Sequence, residues 1–100
     1  MSGGSHPSGL LVRVRILVSG RVQGVGFRYA AVDQGRRLDL LGWARNTADG
    51  RVEIVAEGLN EKVQEMIAWC HTGPPAARVT AVQQATIAAD EDLNGFRVRW

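Results

Sequence analysis

An α+β sandwich, a mixed and largely antiparallel sheet with two helices on one face, is the fold class this sequence predicts. Three observations carry it. Apolar residues recur with a period of about 2 or about 3.6 along the chain, in the order strand, helix, strand, strand, helix, strand. A tight-turn pair, Asp49-Gly50, separates the two middle strands. A further alternating stretch then closes the chain. Length agrees, since 100 residues make one domain, large enough to bury roughly 60–70% of its unfolded surface without staples.

The elements follow in order. Residues 1–9 are rich in Ser, Gly, His and Pro and carry no apolar run, so they predict a disordered tail ahead of a domain over residues 10–100. In the stretch from Leu11 to Val18, Val12, Val14, Ile16 and Val18 alternate with Arg13 and Arg15, as in a half-buried strand. The run from Ser19 to Gly26 holds three glycines that break any regular pattern. Phe27, Ala31, Gly35 and Leu38 then fall along one helix face. Gly35 costs about 1 kcal/mol relative to alanine inside a helix, which leaves close packing on the sheet or an early helix end.

Leu41–Arg45 and Arg51–Glu57 predict strands on either side of the Asp49-Gly50 turn. Leu59, Val63, Met66, Ile67 and Cys70 define the clearest amphipathic helix, stopped by Gly73-Pro74-Pro75. Arg78–Ile87 and Phe96–Trp100 read as strands, the second alternating Phe96, Val98 and Trp100 with Arg97 and Arg99. The order is that of the split βαβ, ferredoxin-like sandwich.

A hydrophobic share of 45% and a charged share of 22% are those of an ordinary soluble domain. No apolar stretch approaches the ~20 residues of a membrane span, so no membrane partner is expected. Cys70 is the single cysteine, which excludes an internal disulfide. With no export signal read, the expected compartment is the cytoplasm. The net charge of +2 is uneven: residues 1–51 hold eight arginines against three aspartates, while residues 52–100 have a balance of −3. The basic half could attract an anion, although a solvated arginine face has the same composition.

Gly20-Arg-Val-Gln-Gly-Val-Gly-Phe-Arg28 leaves a strand and enters a helix. Amides at a helix start lack intrahelical partners and attract phosphate through their hydrogen bonds and aligned dipoles. Gly24 and Gly26 let an anion approach the backbone, and Arg28 adds a planar, permanently charged fork. The glycine spacing is neither that of a P-loop nor that of the dinucleotide fingerprint. A glycine-rich connection with a solvated arginine is the alternative.

These residues resemble a known family. Gly20 to Arg28 resembles the first acylphosphatase signature, and Gly42-Trp-Ala-Arg-Asn46, continuing through Asp49-Gly50 to Glu53, resembles the second. Gly73-Pro74-Pro75 and the closing Phe96-Arg97-Val98 also fit, so the likeness covers residues 11–100. The resemblance implies an acylphosphatase that hydrolyses the carboxyl–phosphate anhydride of small-molecule acyl phosphates. Arg28 would bind the phosphoryl group, and backbone amides of Gln23, Gly24, Val25, Gly26 and Phe27 would cradle it. Asn46 would hold the attacking water. No cofactor, metal or phosphoenzyme is implied, and phosphate or sulfate should sit in the same loop. A monomer is expected.

The chemistry closes on these parts. The carboxylate is a good leaving group, and phosphoryl transfer rests on positioning and charge stabilisation. An arginine–phosphate pair at 4 Å is worth on the order of 4 kcal/mol per unit charge near a surface. An amide such as Asn46 both donates to and accepts from water without titrating. Other residues have plainer readings. His71 has no ligand-spaced partner, and Cys70, Trp43 and Trp69 read as core or rim. Asp49 serves its turn, and Glu53 looks structural.

Three rival functions fit the residues less well. An RNA-binding domain of this layout stacks bases on central-strand aromatics, and Arg51–Glu57 holds none, so no nucleic-acid partner is expected. An accessory module of hydrogenase maturation proteins sits ahead of zinc-finger-like segments, whereas this sequence stops at Trp100. A small-molecule regulatory domain leaves Arg28 and Asn46 unexplained.

Overall fold

Alternation of β-branched and charged residues commits β1 (Leu11–Arg21) to a strand with one dry face, on which Val14, Ile16 and Val18 are buried. In the computed structural model, which describes residues 10–100, it is followed by α1 (Phe27–Arg37), β2 (Leu41–Asn46), β3 (Val52–Leu59), α2 (Asn60–Cys70), β4 (Arg78–Thr86) and β5 (Phe96–Val98). The tail expected over residues 1–9 lies outside the described residues.

The five strands form one sheet in the order β4-β1-β3-β2-β5. β1 pairs antiparallel with both β3 and β4, β2 pairs antiparallel with β3, and β5 pairs parallel with β2. Both helices lie on one face, where a single core joins Ile16, Val18 and Ile54 of the sheet to Phe27 and Ala31 of α1 and to Val63, Met66 and Cys70 of α2. This is the split βαβ, ferredoxin-like sandwich expected from the pattern. No helix among the described residues is long and apolar enough to cross a membrane.

The structure moves several boundaries. β1 runs past Val18 to Arg21, and a register shift against β4 between Ser19 and Gly20 absorbs the glycine. Leu59 belongs to β3 instead of the apolar stripe of α2, because it pairs with Leu11 in extended conformation and is 41% exposed. Trp100 lies beyond the end of β5 and is 82% exposed, so the closing alternation stops short of it. Trp69 packs half-buried against Phe27, with ring centroids 5.3 Å apart. Trp43 is buried on the opposite face of the sheet, beneath the Arg99 guanidinium. Burial alone pushes the Cys70 thiol up to about 12, so it sits in the core as a neutral, inert group.

Gly35 is a close-packing position. α1 continues through it to Arg37, and a Cβ there would lie 2.5 Å from the ring of the buried Phe96. The glycine lets α1 settle onto the edge strand β5. On the open face, the buried carboxylate of Glu53 receives the guanidinium Nε of Arg45 at 2.6 Å, directly across from it on β2, and that of Arg15, diagonally placed on β1. Burial raises the Glu53 carboxyl, but the two arginine hydrogen bonds outweigh it and hold it below its ordinary value.

This packing can be tested at both positions. Gly35→Ala gains about 1 kcal/mol of helix propensity but overpacks Phe96, which costs about 1–3 kcal/mol. The net loss is expected to be about 0–2 kcal/mol, read from the urea midpoint at unchanged m-value. Because the folded Glu53 carboxyl titrates below its unfolded value near 4.5, its contribution is complete above about pH 4.5. It fades as pH falls through the lower folded value. Glu53→Gln should therefore cost about 1 kcal/mol at pH 7, discounted because both arginines are more than one-third exposed, and should flatten the loss of stability below about pH 4.5.

Candidate active site

β1, β2 and β5 run in one direction, so their carboxyl ends emerge together at one end of the sheet. The turn Gln23–Gly26 leaves there from β1 and opens α1. Gly24 and Gly26 have φ of 75° and 80°, whereas Gln23, Val25 and Phe27 do not take positive φ. Alternating signs curl successive amides toward one side and make a concave anion nest. Both glycines face open space, with no atom within 4 Å of where a Cβ would lie, so φ alone is what would strain an L-residue there. Among the described residues, no backbone N–H from Gln23 to Tyr29 has an acceptor; the first to donate is that of Ala30, to the carbonyl of Gly26.

Charge at this helix start is one-sided. No side chain caps α1, and no acidic residue occupies its first turn. Arg28, half-buried as the second residue of the helix, places a cation at the positive end of the dipole. Its guanidinium has no carboxylate or carbonyl partner among the described residues. Its guanidinium carbon lies over the Trp100 ring, 4.4 Å from the centroid, and 5.7 Å from that of Tyr29. Other arginines are engaged: Arg13 with Glu57 at 2.7 Å, Arg51 with Asp49 at 2.8 Å, and Arg36 with the Phe96 carbonyl at 3.0 Å.

Asn46 ends β2 two residues after the fully buried Ala44, so it shares the helix-covered face with the Gln23–Gly26 turn. Its side-chain amide makes no hydrogen bond to a described residue. The loop is brought to it by Gln23, whose side-chain amide donates to the carbonyls of Thr47 at 2.8 Å and Arg51 at 2.9 Å. Those two residues close the hairpin immediately after Asn46. Within that hairpin, hydrogen bonds from Arg51 and Thr47 hold the Asp49 carboxyl down at about 2, so Asp49 serves the turn as expected.

The site residues expected from sequence thus collect at one end of the sheet. Arg28 and Asn46 make no direct hydrogen bond to each other. Two features lie beyond what the sequence predicts. The loop motif assigns Gln23 only a backbone amide, yet its side chain ties loop to hairpin. Trp100 has the pattern of a strand residue, and no local signal links it to Arg28. Hollows of the surface lie along Arg36, Leu40 and Phe96 and between Trp43, Leu93 and Trp100. The cradle is an exposed backbone surface. Among the described residues, no three His, Cys, Asp or Glu side chains gather as metal ligands would.

A ferredoxin-like sandwich with an open glycine loop and an arginine free of carboxylates at the carboxyl ends of its strands defines a small α+β domain of the split βαβ class. Comparison with known proteins makes this specific. The acylphosphatase family profile matches residues 14–98. An acylphosphatase of an Anaeromyxobacter species is 58% identical over 89 residues, covering 89% of this chain and 96% of its own length. The solved acylphosphatase structure from Coxiella burnetii is 38% identical, with a TM-score of 0.84, covering 89% of this chain and 93% of the other. A full-length HypF structure aligns with a TM-score of 0.78 at 21% identity over 12% of its length, a likeness of fold alone. The chain belongs to the acylphosphatase family, and it is a hydrolase of that kind.

Removing the clamp should loosen the cradle without moving the sheet. Gln23→Ala is expected to cost about 1–2 kcal/mol of stability for two lost hydrogen bonds. It should also speed exchange of the neighbouring amides that do hydrogen-bond, those of Ala30 and Thr47, while the β1–β3 amides keep their relative protection.

Proposed function

We propose that the chain hydrolyses acyl phosphates to a carboxylate and inorganic phosphate, with Arg28 and the amides of Gln23, Gly24, Val25, Gly26 and Phe27 binding the phosphoryl group. The observation that carries this reading is the run of unpartnered N–H groups from Gln23 to Tyr29 beside an arginine with no carboxylate. Family membership supplies the anhydride as the bond under attack.

In this reading Asn46 holds a water in line with the carboxylate leaving group. The water oxygen forms a bond to phosphorus as the phosphorus–oxygen bond to the acyl group breaks, and the carboxylate leaves with the electron pair. The water proton passes to a phosphoryl oxygen of the substrate, so no side chain has to titrate. Arg28 and the nest meet charge on the equatorial oxygens with donors already in place, the condition under which such donors count most. Inorganic phosphate, the product, and sulfate occupy the same cradle.

The test is hydrolysis of benzoyl phosphate by the purified chain in EDTA, beside Arg28→Ala and Asn46→Ala. Turnover should persist with the chelator, and each variant should lose at least ~10²-fold in kcat/KM with its circular dichroism unchanged. Phosphate and sulfate should inhibit competitively. A folded wild-type protein with no turnover would leave the cradle as a binding site only.

A further inference from the structure

We propose that Arg21 and Arg78 form a second anion site beside the glycine loop. It receives a carboxylate or phosphate carried on the acyl part of the substrate, and so selects doubly anionic acyl phosphates. The proposal rests on the acyl phosphate reading given above and narrows its substrate class.

Eight of the eleven arginines pair with a carboxylate or donate to a backbone carbonyl. Among the described residues, Arg21, Arg28 and Arg78 have no such partner. All three stand where β1 gives way to the Gln23–Gly26 turn. Arg21 closes β1, Arg28 lies in the first turn of α1, and Arg78 opens β4 directly opposite Arg21. Like charges facing each other on neighbouring strands repel, and no acid among the described residues is within ion-pair distance to relieve them. Arg28 and the turn amides already answer the phosphoryl group in the proposed reaction, which leaves the Arg21–Arg78 pair to the rest of the substrate.

The backbone holds the two cations together. A register shift between Ser19 and Gly20 comes just before the pair, and Gly20 has a φ of 121°. A Cβ at Gly20 would collide with the Arg78 carbonyl oxygen, so glycine is what lets β1 approach β4 this closely. Irregularities of this kind re-aim side chains and are common beside active sites. Core packing does not account for the pair, because both arginines are exposed. An anion does account for it: two planar forks with every donor free suit one carboxylate or phosphate. The span is short. Arg21 lies four residues before Val25 in the turn, so their Cα atoms are at most about 14 Å apart, a distance that the arginine side chains and an acyl group share.

Benzoyl phosphate and 4-carboxybenzoyl phosphate differ only in a second anionic group. So do phenylphosphonate and 4-carboxyphenylphosphonate, which carry no anhydride to hydrolyse. The measurements are kcat and KM for the first pair, affinity by titration calorimetry for the second, and Tm. They are made on the wild type, Arg21→Gln and Arg78→Gln. The wild type should prefer the carboxylated member of each pair by roughly tenfold, a charge-assisted contact made in the ground state and so expressed in KM. Each variant should lose most of that preference, and its Tm should be equal or higher because a like-charge contact is gone. A wild type without the preference would overturn the proposal. Variants that slow both substrates alike would do the same, since the arginines would then attract any anion. A lowered Tm would also overturn it, by making the pair structural. If the wild type hydrolyses neither substrate, the acyl phosphate reading fails, and the phosphonate preference still upholds or overturns the second anion site.

Discussion

Everything at the working end of this molecule depends on an imbalance of charge at the start of α1. A helix start exposes donors and a positive dipole end, which a protein ordinarily answers with an Asp, Ser or Thr cap and an acidic first turn. Here the cap is Gly26, the first turn has no acid, and Arg28 adds a cation. The missing acid and the added cation both work against this helix start. Such a conflict between local rules and stability is expected where an external group is meant to resolve it, and in the function proposed above that group is a phosphoryl dianion.

The surroundings are arranged to sustain that imbalance. Two backbone carbonyls of the β2–β3 hairpin hold the Gln23 amide, which sets the loop without placing a negative charge on it. Trp100 presents a π face to Arg28, again without a carboxylate. The carboxylates that could quench the site are committed elsewhere: Glu53 to Arg15 and Arg45, Glu57 to Arg13, and Asp49 to Arg51. The ion pairs of the open sheet face thus keep the acids of β3 on the side away from the nest.

The same ladder distinguishes this sandwich from relatives of its layout that read single-stranded RNA. Those stack bases on aromatics of central strands. The open face of β1 and β3 instead carries Arg13, Arg15, Glu53 and Glu57, joined across the strands. The exposed aromatics near the site, Tyr29 and Trp100, stand at the end of the sheet against Arg28.

By itself the sequence determined the element order, the two helices on one face, the Asp49-Gly50 hairpin and the glycine loop with Arg28 and Asn46. These are local signals, written as periodicity, turn chemistry and contiguous motifs, and neighbours along the chain suffice to express them. It left Gly35 open between a helix end and a packing contact, placed Leu59 on the wrong element, and assigned Gln23 only a backbone role. Tertiary structure decided each of these. Gly35 has meaning only against the Phe96 ring, Leu59 only against Leu11, and the Gln23 amide only against carbonyls across the hairpin. The approach of Trp100 to Arg28 is the extreme case. It brings the closing residues to the first helix through the parallel register of β5 on β2, and a register between strands distant in sequence is set by the packing of the whole sheet, not by either strand.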